Sequence, residues 1–132
     1  MRNFRTLTIW QQGIDLVLKV YEIASQLPTE EKYGLASQIC RASVSIPSNI
    51  AEGCSRNSDI EYKRFLEVAL GSAFELETQL IIIQKLQFAS ADKLEQTFSL
   101  LTIEQKMVNN LISKIKDDNF ISQSQRPKAN SK

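Results

Sequence analysis

The stretch "SVSIPSNIAEGCSR", Ser43 to Arg56, sets a proline inside a run that otherwise reads as helix. A proline in a helix interior removes one backbone hydrogen bond and clashes with the carbonyl four residues back, here Ser43, at a cost of about 3 kcal/mol. Two geometries meet that cost. The helix can end near Val44, with Ser45 capping a new turn and Pro47 near its first position, where the lost N–H matters little. Alternatively one helix continues with a bend, a Ser43 or Ser45 hydroxyl standing near the freed carbonyl. The bent helix is favoured, because the apolar positions pass through Ile46, Ile50 and Ala51 without a change of phase.

Working outward, the apolar seam of this helix is Leu35, Ile39, Ala42, Ile46 and Asn49 or Ile50, closing on Gly53 as a left-handed stop. Before it, "LPTEEKYG" contains a breaker, Pro28, a capping residue, Thr29, and two acids suited to a helix N-terminus, so this second helix is expected from about Thr29. An earlier helix opens at Thr8, which with Gln11 has the form of a capping box, and its seam is Leu7, Trp10, Ile14, Val17, Tyr21 and Ala24. Trp10 and Tyr21 are therefore expected in the core. After the turn, Ser58 and Glu61 form a second capping box, and the seam Tyr62, Leu66, Ala69, Ala73, Leu76, Leu80, Ile83 marks a long third helix. Phe65, Leu70, Phe74, Ile81 and Ile82 lie off that seam, so its apolar face is wider than one partner needs. A fourth helix opens at Ser90, with Leu94, Phe98, Leu101, Gln105, Val108, Ile112 and Ile115 facing inward. No sustained period-two run or hairpin dipeptide competes. The expected fold is all-α: an antiparallel up-and-down four-helix bundle over residues 1–120, its second helix bent at Pro47, followed by a disordered polar tail over 121–132.

The chain has 132 residues, 42% of them hydrophobic, and no histidine. Without imidazole, Ser-His-Asp triads, Cys-His pairs and histidine-containing metal sites are unavailable, leaving carboxylates, lysine and tyrosine for any chemistry near neutral pH. Cys40 and Cys54 lack metal-knuckle or redox spacing and are read as free thiols. "LIIIQKL" is too short and too polar for a membrane span, and the first residues lack a signal-peptide core, so a cytoplasmic location is expected. Net charge is +1, but residues 21–110 hold eight basic and twelve acidic groups while the two ends are basic.

Two polar stripes run beside the seams: Arg41, Ser45, Asn49 and Glu52 on the second helix, and Ser72, Glu75 and Gln79 on the third. They are read as structural or interface groups that bond to each other or across a subunit boundary. A catalytic or metal-holding pair of Glu52 and Glu75 is the sharper alternative, but carboxylate bundle sites use Glu-x-x-His motifs and no histidine exists. Neither enzyme activity nor a cofactor is expected. Arg56, Lys63 and Arg64 are candidate phosphate contacts interleaved with Asp59, Glu61 and Glu67. Arg2, Arg5, Arg126, Lys128 and Lys132 would add a basic collar in an oligomer, and Arg41 is a further candidate nucleic-acid contact.

The strings "FRTLTIWQQGIDLV", "YGLASQICRASVSIPSNIAEG" and "FLEVALGSAFELETQL" closely resemble the 23S rRNA intervening-sequence protein family over about residues 4–116. The motif positions carried over are Gly34, Leu35, Gln38, Ile46, Pro47, Asn49, Glu52, Gly53, Gly71, Ser72, Glu75, Glu77 and Gln79. That resemblance implies a four-helix bundle assembled as a homopentamer, similar to the accessory variability protein of diversity-generating retroelements, with no enzymatic activity. The resulting expectation is a non-enzymatic homo-oligomer that binds RNA or another nucleic acid through phosphates. A protein-interaction scaffold without nucleic acid is the alternative.

Overall fold

The computed structural model describes residues 2–124 and contains four α-helices: α1 (Thr8–Gln26), α2 (Leu35–Cys54), α3 (Asp59–Leu86) and α4 (Ala91–Ser124), with short 3-10 turns at Phe4–Thr6 and Thr29–Glu31. Each helix packs on two neighbours, α1 on α2, α2 on α3, α3 on α4 and α4 back on α1. Lys93, at the start of α4, donates to Glu22, near the end of α1, at 2.9 Å, so these two helices run in opposite directions. The arrangement is the antiparallel bundle that the seams predict. Among the described residues there is no strand, and no helix is long and apolar enough to cross a membrane.

The helix ends follow local chemistry, with two departures from expectation. Ser58 caps α3 as its sequence position predicts, its Oγ accepting from the Glu61 N–H at 3.2 Å. The Thr8–Gln11 box does not form: Leu7 occupies the cap position without a side-chain bond, and Gln11 Nε2 instead donates to the Arg5 carbonyl at 2.9 Å. Thr29 does not start α2 either. Its segment closes as the separate 3-10 turn, and α2 opens at Leu35, whose N–H is accepted by Glu31 Oε1 at 3.3 Å. The bundle also outruns its expected end at residue 120, since α4 continues to Ser124; the remainder of the expected tail lies outside the described residues.

α2 passes through Pro47 without a break. Neither nearby hydroxyl serves the carbonyl that Pro47 leaves unpaired, because Ser43 Oγ donates to the Cys40 carbonyl at 2.9 Å and Ser45 Oγ bonds Ser72 Oγ at 2.8 Å. What offsets the proline is packing. Its ring is buried against Gly13 of α1, where an added Cβ would come within 3.3 Å of Pro47 Cβ. Glycine opposite proline lets the two helices close on a ring that adds apolar burial.

Gly53 works by the same kind of close approach. It is not the left-handed stop that its position suggests, since no described glycine has positive φ and α2 runs one residue past it to Cys54. Its bare Cα faces α3, where an added Cβ would lie 2.9 Å from Phe65 Cβ and 3.0 Å from Tyr62 Cδ1.

The seams of α2 and α3 are buried as read, apart from half-buried Leu35. In α1 the buried residues are Ile9, Gly13, Leu16, Val20 and Ile23, so the expected seam is displaced. Trp10, Ile14 and Val17 are half-buried, and Tyr21, expected in the core, is 51% exposed. Two adjacent apolar stripes fit α1 equally well, and only packing against α2 and α4 selects between them. In α4, Thr97 and Glu104 take the inward positions expected for Phe98 and Gln105.

Candidate nucleic-acid interface

Arg2, Arg5, Arg56, Lys63 and Arg64 gather at the end of the bundle where α1 begins, α2 ends and α3 begins. The N-terminal segment is strapped there: the Arg2 N–H donates to the Cys54 carbonyl at 3.1 Å, its guanidinium pairs with Asp59, and it lies over the Tyr62 ring at 4.0 Å. Arg56 pairs with Glu52 at 2.7 Å and covers the Phe65 ring, and Lys63 reaches Glu67 at 3.5 Å. Arg5 and Arg64 are exposed and form no ion pair among the described residues. Arg2, Asn3, Phe4 and Arg5 line one side of a shallow cavity of about 400 Å³, with Ala51, Cys54 and Ser55 on the other. This end therefore presents arginines over aromatic rings, with two guanidiniums free for an anion.

Arg41 stands apart from that cluster, near the middle of the bundle. Arg126, Lys128 and Lys132 lie outside the described residues. The polar stripes meet across the α2–α3 contact at one point, the Ser45–Ser72 hydroxyl bond of 2.8 Å. Asn49 turns back along its own helix, donating to the Ser45 carbonyl at 2.8 Å and to Ser45 Oγ at 2.9 Å. Arg41, Gln38, Ser45, Glu75 and Gln79 line a groove of about 330 Å³ floored by Ala42.

Glu52 and Glu75 do not come together. From the Ser45–Ser72 bond, Glu52 lies two turns toward one end and Glu75 one turn toward the other, a separation of about 15 Å along the bundle. No cluster of three or more Cys, Asp or Glu with metal-ligand proximity occurs among the described residues. Both cysteines are free, and burial raises both thiols, which keeps them protonated near neutral pH. Burial also pushes the Tyr62 hydroxyl up to about 12.

One group escaped the sequence reading. Glu104 is fully buried, both its carboxylate oxygens lack hydrogen-bond partners, and burial pushes its pKa up to about 8. An added Cβ at Gly13 would come within 3.2 Å of its Oε2, so the carboxyl rests on the bare face of that glycine beside Pro47. Gly13 inside a helix, level with an acid on α4, was the available signal; a seam drawn through apolar residues alone passes over it.

Residues 5–110, most of the chain, match the family described as 23S rRNA-intervening sequence protein. The chain belongs to that family. No curated protein matches it. As a 23S rRNA-intervening sequence protein it shares its fold with a crystal structure of a protein of unknown function from the S23 ribosomal protein family of Bacteroides thetaiotaomicron VPI-5482. The TM-score is 0.74 at 22% identity, covering 80% of this chain and 98% of that one. In this family member the motif positions Gln38, Ser72, Glu75 and Gln79 border the α2–α3 groove or its closing bond, while Pro47 and Gly53 serve close helix contacts.

Proposed function

We propose that this family member is a non-enzymatic homo-oligomer that binds RNA through backbone phosphates at the end of the bundle carrying Arg2, Arg5, Arg56, Lys63 and Arg64. The observation that carries the reading is the convergence of these side chains, scattered in sequence, on one end. Arginine forks held over aromatic rings, as Arg2 is over Tyr62 and Arg5 over Phe4, suit phosphate oxygens. Repetition of this end around a ring, five-fold as the family resemblance implies, multiplies a modest charge into a collar.

Self-association is supported by apolar surface that one chain leaves uncovered. Phe74 is 53% exposed, and Ile81 and Ile82 on the same helix are exposed as well. Gly71 opens to solvent on α3 and admits close approach, whereas Ala73 is buried inside the chain's own core.

A protein scaffold without nucleic acid is the second reading. It is favoured by the α3–α4 groove of about 640 Å³, where Phe98 and Ile103 are accessible among Ala91, Ser99 and Thr102.

Fluorescence-anisotropy titration of a ribosomal RNA fragment across a salt series separates the two. Phosphate binding weakens steeply as salt rises, and Arg5→Gln or Arg64→Gln lowers the slope of log K against log salt by about one each. Absence of binding at low salt leaves the scaffold reading.

A further inference from the structure

The groove between α2 and α3 is built in rungs. Because the helices are antiparallel, one turn back along α2 and one turn forward along α3 stay level, which sets Ser45 opposite Ser72, Arg41 opposite Glu75 and Gln38 opposite Gln79. The first rung is closed by its 2.8 Å hydroxyl bond. The next two are open. Arg41 and Glu75 carry opposite charges across one groove and form no ion pair with each other or with any other described side chain. Gln79 is only 7% exposed, and its Oε1 has no hydrogen-bond partner, although a buried amide oxygen left unpaired is costly. A cation, an anion and the edge of the Gln79 side chain thus border about 330 Å³ of space in which Ala42 is the one apolar residue. A ligand here is held by hydrogen bonds, and it must offer acceptors toward Arg41 and adjacent donors toward Glu75.

We propose that this groove holds one unstacked guanine base of a bound RNA, with O6 and N7 on the Arg41 guanidinium and N1–H and N2–H donating to the two Glu75 carboxylate oxygens. The proposal rests on the RNA reading above and deepens it. Guanine alone among the RNA bases sets two acceptors on one edge beside two neighbouring N–H donors on the next. A carboxylate takes such a donor pair with both oxygens. Single-stranded RNA presents this edge freely, because its bases can be splayed out of the helix. The position of Arg41 away from the basic end then follows, since contacts that read a base and contacts that hold phosphates are different jobs.

The test uses the full chain and short single-stranded RNAs of equal length and phosphate number, with guanine, inosine or adenine at the same unpaired positions. Inosine lacks only the N2 amino group. The wild type is expected to bind the guanine RNA about tenfold more tightly than the inosine RNA, and Glu75→Gln, a change at an exposed side chain, to bind both at the inosine level. Equal affinity for guanine and inosine RNAs, with salt-dependent binding intact, overturns the base site and leaves the phosphate reading standing. No binding of any RNA overturns both. Guanosine monophosphate binding in place of RNA, with inosine monophosphate rejected, overturns RNA as the source and assigns the groove to free nucleotide. Dissociation of the oligomer by Glu75→Gln overturns the proposal by making the groove a subunit contact.

Discussion

Gly13 and Glu104 face each other across the α1–α4 contact so closely that a methyl group at Gly13 would stand 3.2 Å from the Glu104 carboxylate. The glycine makes room for an acid that is fully buried and has no partner on either oxygen. Burial alone accounts for its raised pKa; no charged group contributes to the shift. Glu104 is therefore a protonated carboxyl at neutral pH.

Stability should depend on pH through this group. Its pKa is about 8 folded against an ordinary 4.5, so the unfolded chain releases a proton that the folded chain keeps. The contribution is fully present below about pH 4.5, is lost at up to about 1.4 kcal/mol per pH unit as pH rises toward 8, and is flat above. Glu104→Gln removes the slope and is the more stable form at pH 8. Urea unfolding of both proteins from pH 5 to 9 checks this, and parallel pH profiles would refute it.

Two glycines inside helices should respond oppositely to alanine. At Gly53 the new Cβ meets Phe65 Cβ at 2.9 Å and the Tyr62 carbonyl oxygen at 3.3 Å, so α2 and α3 must part, at a cost of about 1–3 kcal/mol. At Gly71 nothing of the same chain lies within 4 Å, and alanine gains up to about 1 kcal/mol of helix propensity in unfolding of the single chain. Denaturant midpoints at constant m-value measure both.

The Ser45–Ser72 bond predicts a coupled pair. Ser72→Ala removes one bond and costs about 1 kcal/mol, and Ser45→Ala costs more because Asn49 Nδ2 also donates to Ser45 Oγ, at 2.9 Å. The double variant should be less destabilised than the sum of the two singles. A double-mutant cycle with no coupling energy would deny the bond in solution.

Phe74→Lys should weaken self-association while leaving monomer unfolding within about 0.5 kcal/mol of wild type, because the ring is half exposed on a single chain. Sedimentation equilibrium reads the assembly. An unchanged oligomer places the subunit contact elsewhere.

Helix number, order and direction were legible in the sequence, because the α2 and α3 seams repeat in steps of three and four and Ser58 marks an N-terminus that local hydrogen bonding alone dictates. The polar stripes were legible as stripes for the same reason. Which of two apolar stripes on α1 turns inward was not, since Trp10, Ile14 and Val17 are as apolar as Ile9, Leu16 and Val20, and the choice belongs to the neighbouring helices.

The sequence by itself determined the all-helical periodicity, the absence of imidazole chemistry and the residues that carry the family resemblance, all of which are local or compositional. Tertiary structure decided that Pro47 is tolerated because Gly13 lies against its ring, that Gly53 serves a helix contact, and that Glu104 is buried without a partner. It also decided that the Ser45 rung closes while the Arg41 rung stays open. Each depends on distances between residues far apart in the chain, and spacing along one helix carries no information about how near another will come.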